Sequence, residues 1–232
     1  MAEVSGKRAA LLAAGVVLLA GAALLAARWP GQRVQRLIAQ LEEPERRLSA
    51  SQALLALGPE AVPALVEVAR DPAHPARGDA VELLGRIGDE RATPAVLGLS
   101  DPGLARVRLE ALARLRGPAA LEAVLAALDP RDRELELTAL IALEEWPDPQ
   151  ARQAPALLGY LAHDQQGFRL HAARGLGARR HEPAVPALIA RLSDPSALVR
   201  EAAGLALLQI GTREAVAAVE AARARGAVSF EE

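Results

Sequence analysis

A pattern that recurs about every 30 residues restricts this sequence to a repeat architecture. Each copy contains an Ala- and Leu-rich run, a turn with Gly or Pro, and a second apolar run. Each run carries apolar residues at helical spacing on one face, so a single copy could not bury that face alone. The sequence therefore predicts an all-α fold, namely a right-handed α-solenoid of about six helical hairpins over residues 43–226.

The last copy shows the pattern most clearly. Asp194 is suited to cap a helix N-terminus, and Pro195 fits the first helical position, where no N–H is needed. Gly211 ends the same helix, because glycine adopts the left-handed conformation at little cost. Between them, four apolar residues at spacings of three and four define the face that we expect to be buried: Leu198, Ala202, Leu205 and Leu208.

The copies align on an Arg near the start of the first helix, followed by Ala three residues later and then by Leu. These arginines are Arg47, Arg77, Arg108, Arg169 and Arg200, and a degenerate copy lies near Glu136. With the second-helix run Val185-Pro186-Ala187-Leu188, this pattern resembles the short HEAT repeats of the bilin-lyase-like type. The resemblance implies an α-solenoid fold, which is used for many kinds of binding.

Acidic and basic residues recur at the junctions between copies, six or seven residues apart. The resemblance implies that such pairs form a structural ladder joining successive repeats, and the alternative is a row of arginines that binds anions. The pairs are Asp71 with Arg77, Asp101 with Arg108, and Asp194 with Arg200.

The composition argues against several kinds of chemistry. The chain has no Cys, no Gly-x-Ser-x-Gly and no phosphate-binding glycine loop, so we predict no catalytic residues, no cofactor and no enzyme activity. His163, His171 and His181 are eight and ten residues apart, which does not place two ligands on one helical face, so we predict no metal site. The net charge of −2 argues against nucleic-acid binding of the kind seen in HEAT-type DNA glycosylases.

Residues 9–27 form an uninterrupted apolar run behind a tail of residues 1–8. Its length, about 28 Å as a helix, matches the hydrocarbon core of a bilayer. We predict a single-pass transmembrane anchor in the plasma or inner membrane, with the repeats on the non-cytoplasmic side. A cleaved signal peptide and a buried apolar helix are the alternatives. Residues 28–42 are expected to be a linker and a capping helix, and residues 227–232 a C-terminal tail.

The repeat pattern is least regular between Trp146 and His181, where three of the few aromatic residues lie. Surface aromatic residues are common binding anchors. We therefore predict that Trp146, Tyr160, His163 and Phe168 contact a partner. The expected function is a membrane-tethered, non-catalytic scaffold or adaptor that binds a protein or peptide on its concave face. The alternatives are a bilin-lyase-like enzyme subunit and a self-assembling structural protein.

Overall fold

The computed structural model describes residues 31–146 and 152–228, and within these ranges every regular element is helical. This confirms the all-α prediction and is consistent with an α-solenoid of HEAT-like hairpins. The chain divides into two compact units, Met1–Ala95 and Val96–Glu232, which are described separately. The first contains α1 (residues 31–41), α2 (Pro44–Leu57), α3 (Val62–Arg70) and α4 (Arg77–Ile87), and α5 (Thr93–Leu97) spans the division.

Among its described residues, the second unit contains four pairs of helices. They are α6 (Ala105–Leu115) and α7 (Pro118–Ala126), α8 (Arg133–Glu144) and α9 (Ala154–Tyr160), α10 (Gln166–Ala178) and α11 (Val185–Arg191), and α12 (Ala197–Ile210) and α13 (Arg213–Ala224). The first helices α6, α8, α10 and α12 contact one another in that order and form one layer. Of the second helices, α9 packs on α10, and α11 packs on both α12 and α13. The core between them consists mainly of Leu, Ala and Val.

The helix expected before the first repeat is present as α1. Its side chains at helical spacing, Val34, Ile38 and Leu41, are buried. The apolar run of residues 9–27, predicted as a membrane anchor, lies outside the described residues. Among the residues that are described, no single helix is both long enough and apolar enough to cross a membrane.

The start of α12 differs from the prediction. Its N-cap is Ser196 rather than Asp194, and the helix begins at Ala197. Asp194 lies in the preceding turn, where its carboxylate accepts a hydrogen bond from the Ser196 amide at 3.0 Å. An Asp that closes its own turn in this way cannot also cap the helix. The predicted end is confirmed, because Gly211 adopts the left-handed conformation with φ 75°.

The predicted buried face of α12 was also wrong. Leu198, Leu205 and Leu208 remain 56%, 49% and 37% exposed. The buried side chains are instead Val199, Ala202, Ala203, Ala206, Leu207 and Ile210. The helix is apolar around most of its circumference, so spacing alone did not identify the face on which its neighbours pack. Those neighbours approach along the alanines, because small side chains allow helices to lie close together.

A close approach of this kind involves Gly177 of α10. A Cβ built at Gly177 would lie 2.5 Å from the Cα of Ala206 in α12. Real Cβ atoms do not come this close to a backbone atom, so this helix pair requires glycine at position 177.

Candidate functional site

An arginine occupies the fourth position of several first helices and ties each helix to the segment before it. Arg47 of α2 donates from Nε to the Leu41 carbonyl at 3.0 Å. Arg200 of α12 donates from Nη1 to the Asp194 carbonyl at 2.9 Å and from Nε to the Ala227 carbonyl at 2.8 Å. The bonds to Leu41 and Asp194 satisfy carbonyl groups in the segment before each helix, and the bond to Ala227 satisfies one in the segment after α13.

Arg169, the fourth residue of α10, also joins two successive repeats. Its Nε and Nη2 each donate to one carboxylate oxygen of Asp194 at 2.8 Å, and the two side chains are 9% and 0% exposed. Its Nη1 donates to the carbonyls of His163 and Asp164. Burial opposes ionisation of Asp194, but the hydrogen bonds from Arg169 and from the Ser196 amide outweigh it and lower the pKa of the carboxyl.

The predicted ladder therefore exists at this junction with a different partner. The carboxylate of Asp194 binds Arg169 of the previous copy, whereas Arg200 contacts only main-chain carbonyl groups at Asp194 and Pro195. Within one copy, the Asp lies in the turn and faces back towards the preceding first helix. The Arg six residues later lies over the main chain of that turn and does not reach the carboxylate.

At the other two predicted pairs the aspartates show the same turn geometry, but the arginines differ. The carboxylates of Asp71 and Asp101 accept hydrogen bonds from the amides two residues later, both at 2.9 Å. Arg77 donates from Nε to the Ala69 carbonyl at 2.9 Å. For Arg108, the buried Nε has no hydrogen-bond acceptor among the described residues.

Glu136 occupies the fourth position of α8, where its counterparts in α6, α10 and α12 are arginines. Its side chain is almost fully buried, and two donors satisfy its oxygens: Tyr160 Oη at 2.7 Å from Oε1 and Arg133 Nη1 at 2.9 Å from Oε2. Burial, together with the bond to Glu136, raises the pKa of the Tyr160 phenol. This cluster of Glu136, Arg133 and Tyr160 places a buried, hydrogen-bonded carboxylate where the other copies have an arginine.

Three of the four predicted partner contacts, Tyr160, His163 and Phe168, lie in or against this cluster. The His163 ring stacks on Phe168 with centroids 4.1 Å apart, and Tyr160 lies 5.7 Å from the same ring. His163 Nε2 is 2.7 Å from Arg133 Nη1, and His163 Nδ1 is 2.9 Å from Asp164 Oδ1. Because a guanidinium group only donates, Nε2 accepts from Arg133, and Nδ1 lies 3.1 Å from the Gln165 amide, which donates to it.

The burial of Trp146 and Phe168 corrects the prediction that these two residues contact a partner, and the contact predicted for Tyr160 and His163 stays a prediction. Trp146 and Phe168 are 5% and 1% exposed, so neither offers a surface to a partner. The Trp146 carbonyl accepts from Gln153 Nε2 and Arg179 Nη2, which fixes the end of α8. Tyr160 and His163 are partly exposed, but their polar atoms are already bonded within the cluster. Irregular spacing identified the cluster but could not show that it faces inward.

His171 also has a protein partner. His171 Nδ1 lies 2.6 Å from Glu144 Oε2, which links α10 to α8. Among the residues that the structure describes, no three His, Asp or Glu side chains form a group that could hold a metal ion.

Tyr160→Phe is expected to lower the free energy of unfolding by about 1–3 kcal/mol, because it removes a donor to a buried carboxylate. Urea denaturation of the two proteins measures the difference. Thr138→Val on α8 is the matched control, since its hydroxyl bonds only to the exposed Glu134 carbonyl; its effect should stay within about 0.5 kcal/mol. Equal losses from both variants would contradict a stabilising role for the Tyr160–Glu136 bond.

Comparisons with known proteins give a consistent answer on the fold. HEAT repeats match residues 34–113 and 154–229, which together are more than half of the chain. No curated protein matches the chain.

Solved structures similar to the chain include two engineered proteins of the Northeast Structural Genomics Consortium and human deoxyhypusine hydroxylase in complex with glycerol. The first engineered protein has a TM-score of 0.49 at 21% identity, covering 82% of this chain and 61% of the other, so the chain spans about three fifths of its length. The second engineered protein has a TM-score of 0.43 at 22% identity, covering 84% of this chain and 86% of the other. The hydroxylase has a TM-score of 0.42 at 21% identity, covering 85% of this chain and 91% of the other. At these identities the likeness concerns the fold alone.

The repeated helical pairs, the arginines at the fourth helical position and the matched residue ranges agree with one another. The chain belongs to the HEAT-repeat family.

Proposed function

We propose that this chain is a non-catalytic scaffold or adaptor that binds a protein or peptide segment on its layer of second helices. A HEAT-repeat fold is compatible with such a role, and HEAT-like hairpins leave one side of each second helix free of intramolecular packing. The proposal keeps the expected function but moves the contact surface from the aromatic cluster to the outer side of α9 and α11.

The observation that carries the proposal is the lack of charge on this surface. Among the residues of α9 and α11, the only charged side chain is Arg191. The exposed positions are small or rigid, and they recur in register 31 residues apart: Pro155 and Gly159 in α9, Pro186 and Ala190 in α11. Small uncharged residues allow another main chain to approach closely, and they cannot neutralise phosphates. This supports a protein or peptide partner rather than a nucleic acid.

The membrane tether is the second part of the proposal, and it rests on the apolar run of residues 9–27 alone. A tether would confine the repeats near membrane partners and raise the effective concentration for binding. On this proposal the repeats lie on the non-cytoplasmic side, which protease digestion of intact and broken cells tests.

A photoreactive amino acid placed at Gly159 or Ala190 of the full chain, in its native membrane, is expected to crosslink to a different protein. The same amino acid at Ala178, an exposed position at the end of α10 in the first-helix layer, is the matched control and should not do so. Gly159 accepts a side chain without strain, because a Cβ there meets nothing within 4 Å. Crosslinks to the chain itself only would favour self-assembly, and equal crosslinking at Ala178 would overturn the proposed surface.

A further inference from the structure

We propose that the exposed side of α12 is a separate binding surface for an amphipathic helix that carries a basic residue among its apolar ones. The surface, called the α12 seam, consists of Leu198, Glu201, Leu205 and Leu208. It lies in the first-helix layer, so it is distinct from the surface of α9 and α11, and it does not depend on the proposed function.

The spacing of the α12 seam is that of a helix–helix contact. The steps of three, four and three residues are those of the a and d positions of a coiled coil, which face a partner helix. Its three leucines are exposed, although α12 has buried alanines on its other sides. Among the described residues they account for three of the five large hydrophobic side chains that are exposed. Exposed leucines concentrated on one side of one helix indicate an interaction site.

One residue of the α12 seam, Leu208, lies at a place that forms a helix–helix contact elsewhere in the chain. In α10, Gly177 is the residue against which the next first helix docks, through Ala206. The residue at the same place in α12, 31 positions later, is Leu208. Within the described residues no further first helix follows α12, and Leu208 remains 37% exposed. Leucine in place of glycine prevents the close approach seen between α10 and α12, and it favours a partner helix at the wider spacing of leucine-lined seams.

The charge of Glu201 indicates which kind of partner helix fits the α12 seam. It lies between Leu198 and Leu205 and is half-buried before any partner binds. In a dimer of two copies, parallel helices would place the two Glu201 side chains opposite each other, and antiparallel helices would place them in adjacent layers. Both arrangements bury like charges together, which disfavours a second copy. A Lys or Arg on a different helix would pair with Glu201 and give the seam its specificity.

The size of the α12 seam fits a segment rather than a globular face. The helix has 14 residues, about 21 Å, which is about two heptads. Three partly exposed leucines cover much less than the area of a standard protein–protein interface, about 800 Å² on each side. One amphipathic helix laid along α12 uses the whole seam.

The test uses the purified full chain and two synthetic peptides of three heptads. Both have Leu at the a and d positions except at one central position, which is Lys in one peptide and Glu in the other. Fluorescence anisotropy should show that the Lys peptide binds about tenfold more tightly than the Glu peptide. Leu205→Gln should weaken binding of the Lys peptide about tenfold. Glu201→Lys should reverse the preference between the two peptides.

Three controls separate the possible outcomes. Leu48→Gln changes a leucine that is also exposed but lies on α2, and it should leave binding unchanged. Gly159→Arg changes the surface of the proposed function and should also have no effect, so the two proposals can fail independently. Thermal unfolding establishes that each variant is folded. Equal binding of both peptides, or a native dimer that Leu205→Gln dissociates, would overturn the proposal.

Discussion

Asp194→Ala is expected to lower the free energy of unfolding by about 3–5 kcal/mol, which would be among the largest effects of any single substitution in this chain. The carboxylate is fully buried and bonds to both Nε and Nη2 of Arg169 at 2.8 Å. Its removal leaves a buried guanidinium without its counter-charge at the contact between two repeats. Urea or guanidinium denaturation followed by circular dichroism measures the loss.

A double-mutant cycle tests whether Arg169 is the partner responsible. Asp194→Ala combined with Arg169→Leu should cost less than the sum of the two single losses, because neither charge is then left alone. The cycle of Asp194→Ala with Arg200→Ala should be close to additive, since Arg200 bonds to the main chain of Asp194 and Pro195. A larger coupling energy between Asp194 and Arg200 than between Asp194 and Arg169 would contradict the observed pairing.

The contribution of Asp194 to stability depends on pH with a definite sign. Because folding lowers the pKa of Asp194, its contribution to stability is complete above the unfolded pKa, about 3.9, and is lost as the pH falls through the lower folded value. Asp194→Asn should therefore reduce the loss of stability that wild type shows on acidification below about pH 5. An unchanged acid slope would show that this carboxyl does not titrate differently on folding.

Gly177→Ala is expected to lower the free energy of unfolding by about 1–3 kcal/mol, although alanine is normally the better helix former. The added Cβ would lie 2.5 Å from the Ala206 Cα and 2.6 Å from its Cβ, so α10 and α12 would have to move apart. The contact between these helices joins the last two repeats, and its loosening should also lower the cooperativity of unfolding. Denaturation curves give both the free energy of unfolding and its slope against denaturant concentration, which reports the cooperativity.

Gly167→Ala is the matched control on the same helix. A Cβ at Gly167 meets nothing within 4 Å, so only the helix propensity changes there. This variant should be neutral or more stable, by up to about 1 kcal/mol. If both glycine variants were equally stable, the close approach of α10 and α12 would not require glycine.

The helical hairpins could be predicted from the sequence because local signals define them. Apolar residues at helical spacing, the Pro residues near helix starts and Gly211 at a helix end act within one or two turns of the chain. The exposed side of α12 could not be predicted, because Leu198 and Ala202 both fit an apolar face. Whether leucine or alanine is buried depends on the neighbouring helix, and α10 approaches α12 where the residues are smallest.

The sequence also showed both members of the ladder but not their pairing. Asp194 is six residues from Arg200 and 25 from Arg169, and only the stacking of two repeats brings the more distant pair together. The fourth copy carries a signal of its own in the sequence. Glu136 follows Asp129 by seven residues, the same offset that separates Arg108 from Asp101. This reversal of charge indicated a different contact at that junction.

Glu136 and its donors form a self-contained unit within one repeat. HEAT arrays can gain or lose hairpins, and a hairpin is exchangeable only if both neighbours accept its contacts. Both donors to the buried carboxylate, Arg133 and Tyr160, belong to the same α8–α9 hairpin as Glu136. A duplicated α8–α9 hairpin would therefore keep this carboxylate satisfied. The contact of Arg169 with Asp194 instead joins two copies, so a hairpin inserted between them without an Arg at that place would leave Asp194 without its counter-charge.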